Sequence, residues 1–216
     1  MRIAVLGLSD FSYPLALRLH ELGNEVIAVD RSREPVQRIK DYVTKAVIAD
    51  VTDRGALDEL RISEVDVVLI SIGRRLEATV LVTHYLKEVG VPRIVVRVAD
   101  EEQGKILGLV GATDIVQPDK DIATKTAVLL TFPNLVDYAA LSGPFRIVAL
   151  KALNRWVRHT LKEFDQIKRA PIQVIAVDPA GSDKPPIIPG PDYRIGEEDT
   201  LVILGALQDL LKEVQD

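Results

Sequence analysis

Apolar and polar positions along this chain follow two rhythms. In the longer, first part, runs of Val, Ile, Leu and Ala at 2–6, 26–29, 46–49, 65–71, 93–98 and 114–117 alternate with amphipathic stretches. Those stretches lie at 12–22, 34–42, 54–60, 75–89, 101–109 and 121–130, and their apolar residues recur at helical spacing. Strands that are apolar at consecutive positions must be covered on both faces, so the pattern predicts a parallel sheet between two layers of helix. Right-handed crossovers then give an α/β, Rossmann-like doubly wound sheet, with its ligand crevice at the carboxyl ends of the strands.

The rhythm changes near 142–144. Short apolar runs at 146–150, 172–177 and 200–204, a helix around 156–164 and another from Leu207 predict a small C-terminal α+β domain. A loop rich in Gly, Ser, Pro and Lys, PAGSDKPPIIPGP at 179–191, precedes its last strand. The boundary falls at about 140, giving a nucleotide-binding domain over 1–140 and a smaller one over 141–216. Pro133 breaks the helix at 121–130, and 134–140, with Leu135, Val136 and Tyr138, reads as the second arm of a helical crossover. That arm would pack on a partner subunit, or form an internal helix–turn–helix.

Composition narrows the function. The 216 residues carry a net charge of −5 and are 47% hydrophobic, which supports a packed core and argues against nucleic acid as a partner. Cysteine is absent, so disulfides, thiolate metal sites and a cysteine nucleophile are excluded. No apolar run approaches the ~20 residues of a membrane span, and the first strand leaves no room for a signal peptide. The expectation is a cytoplasmic protein, held at a membrane only through a partner.

The first βα turn carries the chemistry. It reads GLSDFS where a dinucleotide-binding turn reads G-x-G-x-x-G: Gly7 takes the first glycine position, and Ser9 and Ser12 the second and third. A serine hydroxyl there can cap the helix, donate to a phosphate, or do both. Asp30 ends the second strand about 20 residues on, placed to accept both ribose hydroxyls of an adenosine. The competing reading makes Gly7 and Asp30 a turn residue and a cap. Asp50 closes the third strand and either faces an adenine edge or caps the next helix. Ile72 and Gly73 follow the fourth strand, where Gly73 admits the ligand or simply makes a turn. Arg97 ends the fifth strand as a phosphate partner or a salt-bridge partner, and Asp119 follows the sixth as a cation or phosphate ligand or a helix-terminal acid.

Taken together, these segments resemble the RCK (KTN) proteins, the TrkA-type regulatory subunits of Trk and Ktr potassium uptake systems. GLSDFS, VIAVD, KAVIADVTD, VVLISIG, RIVVRVAD and GATDIVQPDKD carry the resemblance, and IQVIAVDPAG and IIPGPDYRIGEEDTLVILG extend it to the C-terminal domain. It implies a cytoplasmic subunit that binds an adenine nucleotide (NAD, AMP, ADP or ATP) and gates a membrane-embedded potassium transporter or channel. It also implies a homodimer, grouped in some members into an octameric ring, and a C-terminal domain that binds cyclic di-AMP in some members. Here 172–177 and 186–191 would line that second site. The implied nucleotide site comprises Gly7, Ser9, Asp10, Phe11, Ser12, Asp30, Arg31, Asp50, Ile72, Gly73 and Arg97. In one loop the chain departs from the family: where the usual G-x-G-R-x-G places an arginine against the phosphates, Asp10 stands. At 5 Å and an effective dielectric of 20, a carboxylate repels a phosphate charge by roughly 3 kcal/mol, which disfavours ATP relative to AMP or NAD. The alternatives are an NAD-dependent oxidoreductase, whose acid/base would be sought among His20, His84 and His159, and a nucleotide-sensing module of another membrane transporter.

Overall fold

Six strands, β1 (Arg2–Leu6), β2 (Glu25–Asp30), β3 (Lys45–Ile48), β4 (Val67–Ile70), β5 (Arg93–Arg97) and β6 (Asp114–Val116), pair in parallel in the order β3-β2-β1-β4-β5-β6. This is a computed structural model that describes residues 1–73, 75–141, 143–168, 170–180 and 185–214. Ser142, at the expected change of rhythm, and 181–184 of the expected Gly/Pro loop lie outside the described residues. Consecutive side chains of each strand point to opposite faces, which is why the runs are apolar throughout. Ala4 and Leu6 join Val68, Ile70, Ile94 and Val96 on one face, under Val82 and Leu86 of α4 (Leu76–Glu88) and Leu107 of α5 (Glu101–Val110). Val5, Val26, Ala28 and Leu69 cover the other, under Ala16 of α1 (Ser12–Glu21) and Val36 and Ile39 of α2 (Arg33–Ile39). The strand order reverses between β1 and β4, the place where doubly wound sheets open a crevice.

The chain divides into two compact units, Met1–Asp121 and Ile122–Asp216, and α6 (Pro118–Thr131) begins in the first and continues in the second. The expected boundary at about 140 falls inside the second of these units, at the end of β7. The segment expected to be a helical arm is instead strand β7 (Leu135–Ala140), paired antiparallel with β8 (Phe145–Lys151). The Pro133 break ends α6, and the chain then turns back at Gly143, whose φ of +60° suits a glycine. The second sheet has the order β7-β8-β10-β9, with β9 at Gln173–Asp178 and β10 at Thr200–Ala206.

Trp156 and Phe164, fully buried and edge-to-face at 5.2 Å, fill the second unit's core against Leu150, Ile172, Leu201 and Ile203. The helix expected around 156–164 starts later, as α7 (Leu161–Ile167). Its start is set by a capping box: Thr160 Oγ1 accepts the Glu163 N–H, and the Glu163 carboxylate accepts the Thr160 N–H. Trp156 sits in the preceding turn, where Arg158 has a φ of +68°. α8 (Leu207–Val214) closes the chain. Among the described residues, no helix is long and apolar enough to cross a membrane.

Candidate functional site

Gly7 makes the sharp turn after β1. Its φ is +90°, its N–H donates to Val29 O at 2.7 Å, and a Cβ there would lie 2.3 Å from the Ser71 carbonyl oxygen. Only glycine fits. Ser12 is fully buried beneath the turn; its hydroxyl donates to Gly7 O at 2.7 Å and accepts the Ser9 N–H at 2.8 Å. Ser9 Oγ in turn lies 3.0 Å from Ser12 Oγ and 2.9 Å from Ser71 Oγ. A hydroxyl has one proton, so Ser12 has none left for a phosphate. The N-cap position of α1 is Phe11, with no side-chain cap, so Ser12 ties the turn together and does not cap the helix. The N–H groups of Asp10 and Phe11 have no partner among the described residues.

Asp30 staples this turn to the next. One carboxylate oxygen accepts the Leu8 N–H and the other the Ser32 N–H, each at 2.7 Å. Each oxygen keeps lone-pair capacity, so the turn role and a ribose role are compatible. A cavity of about 220 Å³ opens here, lined by Gly7, Leu8, Ser9, Asp30, Arg31, Ser32, Ala49, Asp50, Val51, Ser71, Ile72, Gly73 and Arg75. Asp50 does not cap α3 (Arg54–Glu59): Asp53 does, accepting the Gly55 N–H at 2.9 Å. Asp50 instead accepts the N–H and hydroxyl of Thr52, at 2.9 and 2.7 Å. Those bonds hold its carboxyl below the ordinary carboxylate range, and the charges of Arg75 and Arg31 push it the same way. Gly73 has a φ of +83° and nothing within 4 Å of where its Cβ would be, so both its conformation and its bareness leave the crevice open.

A second cavity, of about 330 Å³, shares Ser71 and Gly73 and is lined also by Arg97, Val98, Ala99 and Asp119. The Arg97 guanidinium donates to Asp119 at 2.8 Å and to Ser9 Oγ at 3.4 Å, and it lies 5.8 Å from the Phe11 ring. Of the expected site residues, Gly7, Ser9, Asp30, Arg31, Asp50, Ile72 and Gly73 line the first cavity and Arg97 the second. Asp10, Phe11 and Ser12 line neither. Asp10 is exposed, so water screens its charge and its repulsion of a phosphate is closer to ~1 kcal/mol than to 3. Sequence reasoning missed Arg75, which the helical pattern places at the start of α4; its position two residues after Gly73 was the available signal. His20 and His84 are exposed, His159 lies in the second unit, and none of the three lines either cavity. Among the described residues, no cluster of three His, Asp or Glu could hold a metal.

The TrkA-N domain family model matches residues 3–118. Over 209 residues the chain is 32% identical to the Ktr system potassium uptake protein A of Bacillus subtilis, covering 97% of this chain and 93% of that protein. The GsuK channel bound to NAD superposes with a TM-score of 0.66 at 18% identity, over 100% of this chain and 39% of that one. That likeness speaks to the fold. The NAD(P)-binding domain of an exopolyphosphatase-related protein from Archaeoglobus fulgidus superposes with a TM-score of 0.52 at 26% identity, over 60% of this chain and 96% of that one.

Proposed function

This chain belongs to the TrkA-N domain family, and from that membership and the crevice we propose that it is the nucleotide-binding regulatory subunit of a potassium uptake system. The end-to-end likeness to Ktr system potassium uptake protein A carries the reading, because it spans both compact units and not the nucleotide fold alone. The ligand is an adenine nucleotide. Asp30 takes the ribose hydroxyls, Gly7 and Gly73 let the ligand approach the main chain, and the free N–H groups of Asp10 and Phe11 point to an anion at the start of α1. The NAD(P)-binding domain from Archaeoglobus fulgidus supports that ligand class. The subunit works in the cytoplasm, at the inner face of the membrane, through a membrane-embedded partner. It assembles at least as a dimer through α6, which buries none of its residues within the chain and exposes Ile122 and Leu130. Ligand binding shifts the population between assembly states, and the partner follows. A cyclic di-AMP site on the second unit, along β9 and 186–191, remains part of this proposal.

The test is potassium-limited growth of an uptake-deficient bacterium expressing a Ktr-type membrane subunit with and without this chain. Growth that requires this chain and falls with Asp30→Ala supports the reading. Growth indifferent to the chain overturns it.

A further inference from the structure

We propose that Arg75 is the residue by which this chain selects phosphorylated over unphosphorylated adenine ligands, a task its first turn has given up. The inference rests on the nucleotide reading above and assigns the charge that reads the phosphates. In the first turn, the Ser9 N–H and the Ser12 hydroxyl are consumed inside the protein. What remains is the pair of N–H groups at Asp10 and Phe11, beside a carboxylate that stands where the family pattern has an arginine.

Across the crevice the opposite holds. Arg75 lines the same cavity as Gly7, Ser9 and Asp30, and it follows the bare, open turn at Gly73. Its guanidinium makes no hydrogen bond or ion pair with the described residues, and it is exposed. It therefore gives up no partner, and loses little hydration, when it meets a phosphate. Among the described residues, the other cations that line the two cavities are placed differently. Arg97 is held by Asp119, and Arg31 lies at the end of β2, on the ribose side. Arg75 follows β4, next to β1 in the sheet, and the space between those two strand ends is where a diphosphate crosses a doubly wound sheet. The positive charge missing from the first turn is thus present on the facing one. Its charge also acts on Asp50 in the same cavity, adding to the Thr52 hydrogen bonds that lower that carboxyl's pKa.

Calorimetry of the full chain with adenosine, AMP, ADP and ATP tests this on the wild type, Arg75→Ala, Arg75→Glu and Arg33→Ala. A guanidinium–phosphate contact in an open mouth predicts that the ADP-to-adenosine preference falls about tenfold in Arg75→Ala and further in Arg75→Glu. The salt dependence of that preference should fall with it. Arg33→Ala removes an equal charge outside the cavity and should leave the preference at the wild-type value. An unchanged preference in Arg75→Ala overturns the proposal. So does an equal loss for adenosine and ADP, which marks a role in the fold, or an equal fall in Arg33→Ala, which marks a diffuse field. A wild type that binds adenosine and ADP alike overturns the role of Arg75 alone, whereas one that binds neither overturns the nucleotide reading and this inference with it.

Discussion

At the end of β1, a Cβ on Gly7 would sit 2.3 Å from the Ser71 carbonyl oxygen; at the end of β4, a Cβ on Gly73 would meet nothing within 4 Å. Both glycines have φ near the same positive value, +90° and +83°, so backbone conformation does not separate them. Packing does. The first turn is closed on itself, with Ser9 hydrogen-bonded to both Ser12 and Ser71 and Asp30 tying it to β2. On the facing side, Gly73 leaves open space, and the Arg75 guanidinium has no hydrogen-bond or ion-pair partner among the described residues. In a doubly wound sheet these two turns share one ligand, so a loss of donors on one wall leaves the other to supply them. A missing glycine in the first turn therefore leaves the donors of the second wall untouched.

The same methyl group placed on each glycine separates the two turns most clearly. Gly7→Ala forces a Cβ into a main-chain carbonyl while straining φ, and should cost about 3 kcal/mol or more. Gly73→Ala meets only the strain of a left-handed conformation, about 1 kcal/mol. Urea denaturation of the two variants measures the difference. Equal shifts in midpoint would show that the first turn yields as easily as the second. Next in size is Ser9→Gly, which restores the residue a diphosphate turn prefers. It removes a hydroxyl that the buried Ser71 uses, costing about 1 kcal/mol of stability, and it clears side-chain bulk from the phosphate path. We expect a lower denaturation midpoint together with tighter ADP relative to adenosine. A lower midpoint with no change in that preference would mean that the serine cluster only holds the turn.

The parallel sheet was legible because a strand buried on both faces must be apolar at every position, and six such runs stand in sequence. β7 was not, because a one-residue irregularity between Leu135 and Asp137 breaks the alternation that marks a half-buried strand. The start of α7 was written in plain capping chemistry, Thr160 followed three residues later by Glu163, and the pull of Trp156 toward a helix hid it. At the crevice, Gly7, Asp30 and Gly73 could be read from their order after strands. The fate of the Ser12 hydroxyl could not, because it depends on burial against Gly7 O. Arg75 offered one local signal, its place two residues after Gly73, but that it lines the same cavity as Gly7 and Asp30 depends on how the strand ends come together.

The smallest effect belongs to Asp50, and it reports on the open wall directly. The Thr52 N–H and then its hydroxyl hold this carboxyl below the ordinary range, with the charges of Arg75 and Arg31 adding to them. A carboxylate whose folded pKa is depressed stabilises the protein above its unfolded pKa, about 3.9, and loses that contribution as pH falls through the lower folded value. Because Asp50 is exposed, the change in stability is slight, and a local probe serves better than denaturation. The Thr52 amide, followed by NMR as pH is lowered, should titrate with a midpoint below that of a free aspartate. Arg75→Ala should raise the midpoint a little. Thr52→Val, which keeps the N–H and loses the hydroxyl, should raise it more. A midpoint indifferent to Arg75→Ala would place that guanidinium away from the cavity in solution, and the two walls of the crevice would then be equally poor in charge.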